Sequence, residues 1–154
     1  MTRMVLLGRG AAIALMGLAI VVSTQSAQAR NEAIMFSVED AMATADAKAK
    51  LDGSVKFYFG KTPHGKVLQS FGERVSNKKT NAFGKSDLAS CNRAVLSALI
   101  TFQERAKKDG GNAVINMVSY YKRNTVSNDT HFECHAGGFV TGVTLKGEVV
   151  RLEE

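Results

Sequence analysis

Residues 86–111, SDLASCNRAVLSALITFQERAKKDGG, decide the fold. Leu88, Cys91, Val95, Leu99, Phe102 and Ala106 recur at steps of three and four, and Leu96 and Ile100 widen the stripe. That period predicts a long amphipathic helix with one face in a core. Ser86 or Asp87 can cap its start, Lys107 and Lys108 oppose the dipole at its end, and Gly110-Gly111 stops it. A helix this regular is expected to cover a sheet. Cys91 lies on the apolar stripe, near the N-terminal end.

The flanking segments supply the strands. Downstream, Asn112–Lys122 reads as a strand in which Val114, Val118 and Tyr120 alternate with Ile115, Met117 and Tyr121. His131–His135 begins another, and Ala136-Gly137-Gly138 interrupts it. From Phe139, Thr141, Val143 and Leu145 alternate with Val140, Gly142, Thr144 and Lys146. Gly142 and Gly147 are candidate bulges or bends. Upstream, Val55–Phe59 and Val67–Val75 flank the turn Gly60–Gly65 and read as a hairpin. Residues 76–85 read as a polar loop. Ser37 can cap a helix from Val38 to about Leu51, with Glu39 and Asp40 in its first turn. The order helix, hairpin, long helix, hairpin predicts α+β: an antiparallel sheet of about four strands, one long helix on a face, and an N-terminal helix.

The first 29 residues read as a signal peptide. Arg3 and Arg9 precede an apolar run over 11–22, and Ala27-Gln28-Ala29 is a small-x-small cleavage pattern. The run is shorter than the roughly 20 apolar residues of a membrane span. Residues 30–154 are then a single α+β domain of about 125 residues, exported to the periplasm or secreted. The whole chain carries +6, and the loss of two arginines leaves about +4. That mild charge in that compartment argues against nucleic acid as a partner. No cysteine lies near enough to the apolar run for lipidation, so no membrane anchor is expected after cleavage.

Two cysteines are present, Cys91 and Cys134. In an oxidising compartment their default is one bridge, here from helix to strand. A redox or metal role is the alternative. His131 and His135 share a strand face with Glu133 and form the richest ligand cluster, so they are the metal candidates. On a straight strand they stand about 13 Å apart, too far to chelate one ion unless the chain bends at Ala136-Gly137. Tyr120 and Tyr121, followed by Lys122-Arg123, are candidate binding residues through ring stacking. Gly60-Lys61-Thr62 imitates a phosphate loop but lacks its first glycine, since position 55 is Val, and leads into no helix. ATP is therefore not expected, and neither is another cofactor. No nucleophile elbow or paired acids stand out, and no catalytic residue is assigned.

Several stretches carry a resemblance: Leu51–Phe59, Lys79-Thr80-Asn81, the helix end Glu104–Gly111 running into Asn112-Ala113-Val114-Ile115, Glu133–Gly137 and Val143–Gly147. They resemble a group of small exported bacterial proteins of unassigned role that often carry an excinuclease ABC label. The true excinuclease component of that name is a large cytoplasmic ATPase with zinc-binding cysteine pairs, so the label does not describe this chain's chemistry. More distantly, the helix followed by Gly-Gly-Asn-Ala-Val-Ile is similar to the YbjQ-like heavy-metal-binding family and to the lipoprotein sensor of the Rcs envelope-stress pathway. Those resemblances imply a small α+β fold and, in the sensor, disulfides tying helix to strand. The combined reading is a non-enzymatic interaction or envelope-associated module whose partner is an envelope protein or a second copy. The alternatives are a metal-binding or metal-responsive protein using His131 and His135, with or without Cys134, and a small hydrolase built on His64 or His135.

Overall fold

The computed structural model describes residues 29–153; the signal-peptide reading, Ala29 apart, lies outside them. The long helix forms as its sequence dictates and is here α3 (Asp87–Asp109). The Ser86 hydroxyl accepts from the Ala89 amide at its start. Gly110, at φ +84°, closes it in the left-handed conformation that glycine adopts without cost. Its buried face is Cys91, Ala94, Val95, Ala98, Leu99, Phe102 and Ala106.

The sheet has six strands rather than four: β1 (Glu32–Ser37), β2 (Lys56–Phe59), β3 (Val67–Asn81), β4 (Ala113–Ser119), β5 (His131–Ala136) and β6 (Val140–Leu152). β6 is its axis. β3 pairs antiparallel with β6 over its full length. On the other edge of β6 the sheet forks. β4 lies against Leu145–Val150 and β5 against Gly142. β2 extends the first branch and β1 the second. The sheet is mixed, because β2 runs parallel to β4.

The expected hairpins are not formed. β2 and β3 are adjacent in sequence, yet β2 pairs with β4 across the α3 crossover and β3 pairs with β6. β4 likewise takes β6 as its neighbour, not β5. The polar loop expected over 76–85 is strand as far as Asn81. It is polar because β3 is an edge strand, with Asn77, Lys79 and Asn81 exposed. The expected N-terminal helix is two short ones, α1 (Val38–Ala43) and α2 (Ala45–Lys50). Thr44 divides them at ψ 150°; its hydroxyl donates to Ala41 O and accepts from Ala47 N. Ser37 does cap α1, accepting from Asp40 N.

One departure changes which residues are inside. Simple alternation puts Met117 beside Ile115, but Asn116 sits at φ +52° and β4 slips register between Ile115 and Val118. A β-bulge of this kind inserts one residue and flips the next side chain, and asparagine tolerates that backbone. Met117 therefore joins Val114 under α3, while Ile115 packs with Ala113, Val150, Leu152 and Tyr58 on the opposite face. Neither Gly142 nor Gly147 bulges against β3, since that pairing runs without interruption from Val149 to Val140. Gly147 makes room instead: a Cβ there would lie 2.7 Å from Val114 Cγ1 and 3.0 Å from Met117 Cγ.

The main core lies between α3 and Val114, Met117, Phe132, Val143, Leu145 and Val149. Cys91 and Cys134, both fully buried, are joined by a disulfide inside it, with Cα atoms 5.9 Å apart. The bridge expected from the cysteine count is thus formed, and it staples α3 to β5. Beside it, Ser90 Oγ and Thr141 Oγ1 are 3.0 Å apart, so the buried hydroxyls satisfy each other. Gln103 donates to Lys50 O and accepts from Asp52 N, which ties the end of α2 to the helix.

Three surface carboxyls brace the helix ends. Arg30 hydrogen-bonds Asp87, Lys107 bonds Asp52, and Arg105 and Arg74 meet on Asp109. In each case the hydrogen bond from the basic partner holds the carboxyl below its ordinary range.

Two outcomes are expected. Removing the bridge by Cys91→Ala/Cys134→Ala should cost about 4 kcal/mol for a closed loop of about 44 residues; urea unfolding of the oxidised protein and the variant reads this directly. A carboxyl with a depressed folded-state pKa adds stability above its unfolded value, lost as pH falls through the folded value. The melting temperature should therefore fall below about pH 4. Asp52→Asn should flatten that fall, modestly, because the pair is solvent-screened.

Candidate functional site

Strand parity assembles the site. Phe132, Cys134 and Ala136 of β5 face the helix and are buried, so His131, Glu133 and His135 face the other way. β4 ends beside them at Ser119, whose hydroxyl accepts from the Glu133 amide at 2.8 Å. The chain then turns sharply through Tyr120 into a single 3-10 turn, Tyr121–Arg123. Lys122 and Arg123 take φ values of +50° and +68°. Two successive non-glycine residues in the left-handed region cost free energy, and such strain concentrates at functional sites.

This turn folds Tyr121 onto His135, with ring centroids 3.4 Å apart and planes within 17°. The His135 Nε2 lies 2.9 Å from Glu133 Oε1. The ring is largely enclosed, and its Nδ1 is buried without a hydrogen-bond partner. Asn31 Nδ2 donates to the Tyr121 hydroxyl at 3.4 Å.

Cations cover both tyrosines. Lys122 Nζ lies 5.4 Å from the Tyr121 ring centroid and Lys146 Nζ 4.9 Å from that of Tyr120. Both are within cation–π range. Next to them, Tyr120, Lys122, Arg123, Val75, Asn77 and Thr144 line a shallow cavity of about 470 Å³. Val75 is 54% exposed at its edge. Lys146 also reaches Glu73 at 3.3 Å. Lys122 and Arg123 have no ion-pair partner among the described residues.

The structure thus brings Tyr120, Tyr121 and His135 to one face. His131 stands apart in its bonding: its Nδ1 is 2.8 Å from Thr130 Oγ1, at the far end of β5. Cys134 is committed to the disulfide and points into the core. Among the described residues, no group of three or more His, Cys, Asp or Glu side chains is disposed to hold a metal ion. His135 with Glu133 has the form of a base and its orienting acid. No hydroxyl or thiol bonds either nitrogen of that ring among the described residues. His64 lies elsewhere, with Nδ1 2.8 Å from Gly65 O and its ring edge-on to Tyr58. At the false phosphate loop, Asp129 Oδ1 accepts the Lys61 amide, so a carboxylate fills the space a phosphate would need.

Lys146 completes a site of which the sequence marks Tyr120, Tyr121 and His135. The Lys122-Arg123 dipeptide is visible there, but the β3–β6 pairing that brings Val75, Asn77 and Lys146 beside it is not. Comparison of the chain with protein-family models, with curated proteins and with solved structures gives no match in any of the three.

The carboxylate beside Nε2 requires the neutral His135 ring to carry its proton on Nε2, leaving Nδ1 bare. Nitrogen-15 NMR at neutral pH should show that tautomer for His135, and Glu133→Gln should weaken it.

Proposed function

We propose that this protein is an exported, non-enzymatic interaction module of the bacterial envelope that docks an acidic partner protein on its Tyr120–Arg123 face. One observation carries the reading: two aromatic rings, Tyr121 under Lys122 and Tyr120 under Lys146, stand beside Arg123 on a strained turn. A rigid aromatic with a desolvated cation is the side-chain chemistry of interface anchors. Complementary charge would steer a carboxylate-rich partner onto it. The cavity is shallow, which suits a protein surface better than an enclosed small molecule.

Export is supported by the signal-like N-terminal sequence and by the disulfide, which suits an oxidising compartment. Among the described residues, no helix is long and apolar enough to cross a membrane. The envelope placement also follows from the resemblance to small exported proteins. The metal alternative loses Cys134 to the bridge and has no three-donor group among the described residues. The hydrolase alternative has an oriented histidine but no nucleophile bonded to it among the described residues.

The test is a pull-down from the envelope fraction with the oxidised protein and with Lys122→Glu/Arg123→Glu/Lys146→Glu. Capture of an acidic protein, released by about 0.5 M salt as screening predicts and lost in the reversed variant, supports the proposal. Equal capture by the variant overturns it, as does turnover of a defined substrate by the purified protein.

A further inference from the structure

The other unexplained surface lies at the opposite end of β6 from its C-terminus. Phe83, in the loop between β3 and α3, and Phe139, in the turn between β5 and β6, stack face to face. Their centroids are 5.8 Å apart and their planes within 2°. They are 68% and 73% exposed, and neighbouring Val140 is 53% exposed. Two stacked, exposed rings beside an exposed valine form a contiguous apolar feature of the kind that serves as an interaction site.

The pair is held firmly. The Ala82 amide donates to Phe139 O at 2.8 Å, joining the two loops. Asn81 Oδ1 accepts from the Phe83 amide and Ala82 O from the Lys85 amide, which tightens the first loop into a turn. A Cβ added at Gly84 or Gly138 would meet nothing within 4 Å, so both loop tips project into open space. The two tips form a prong, and at its flank Lys79, Thr80, Asn81, Phe83, Phe139 and Val140 line a wide, open hollow of about 590 Å³.

Its surroundings are cationic. Lys79 and Lys85 flank the rings, are exposed, and have no ion-pair partner among the described residues. The nearby acids Glu32 and Asp87 are both engaged by Arg30. Arg30 also fixes where the N-terminal segment enters. Its carbonyl packs against Gly137, 3.1 Å from where a Cβ would be, and its guanidinium bonds Asp87. Arg30 therefore sits at the root of the prong.

We propose that the Phe83–Phe139 prong is a contact site for an anionic lipid bilayer, with the rings entering the interfacial layer and Lys79 and Lys85 meeting lipid phosphates. Rigid rings flanked by lysines match the two attractions of peripheral membrane binding, buried apolar area and charge. A projecting tip enters a yielding lipid surface more readily than a preformed protein face. Two phenyl rings and two lysines give a reversible contact, not an anchor. The prong is a separate surface from the Tyr120–Arg123 face, and its role does not depend on what that face binds.

The experiment is co-sedimentation of the oxidised protein with vesicles of phosphatidylethanolamine carrying about one-quarter phosphatidylglycerol, against phosphatidylcholine vesicles. N-terminal processing is confirmed equal in all forms by mass. Binding should favour the anionic vesicles and fall with salt. It should drop at least about tenfold in Phe83→Ser/Phe139→Ser and about fivefold for each of Lys79→Gln and Lys85→Gln. The chain has no tryptophan, so Phe139→Trp reports directly: its emission should shift to the blue on anionic vesicles and be quenched by brominated lipid. No sedimentation, undiminished binding by the double serine variant, or an unmoved tryptophan spectrum overturns the proposal. A dimer that the double serine variant converts to monomer also overturns it, by assigning the prong to a second copy.

Discussion

The clamp between α3 and the axial strand β6 governs this molecule. β6 is the one strand that touches β3, β4 and β5, and α3 buries its face over all of them. Small residues make the approach possible. Ala94, Ala98 and Ala106 are fully buried on the helix, and Gly147 leaves room for Val114 and Met117 above it. The disulfide then fixes the N-terminal end of α3 to the β5 branch, at the fork where β5 pairs with β6 only at His135 and Gly142. The open face inherits its geometry from this clamp, since Cys134 inward means Glu133 and His135 outward.

Much of this is legible in the sequence where local physics decides. The period of α3, its serine cap and its glycine stop are local signals, and all three hold. Ser37 is another. The cysteine pairing follows from number alone once an oxidising compartment is assumed. The strand pairing is not legible, because it depends on contacts far apart in the chain. A hairpin is the economical partner choice for Val55–Phe59 and Val67–Val75, but it loses to burial: β2 gains a core position only beside β4, where Phe59 is 3% exposed. The Lys-Asn-Thr stretch of β3 resembles a loop in composition, since an edge strand with one wet face has few apolar residues. β1 carries little signal for a similar reason, being short, at an edge and half exposed.

The site is legible in its rings and not in its architecture. Tyr120 and Tyr121 stand out as adjacent aromatics before a basic pair. Alternation would place them on opposite faces, but the turn at Lys122 and Arg123 brings both to the open side of the sheet. Lys146 is remote from them in the chain. It arrives because Tyr120 N donates to Thr144 O and so sets β6 alongside.

The presence of only two cysteines has a consequence for how the protein matures. A chain with four offers three pairings, and wrong ones must be reshuffled. Here oxidation has a single intramolecular product. Cys134 also precedes β6, so a chain made from its N-terminus presents both sulfurs before the sheet's central strand is complete. A simple oxidant suffices for such a chain, and no isomerase is required to proofread it.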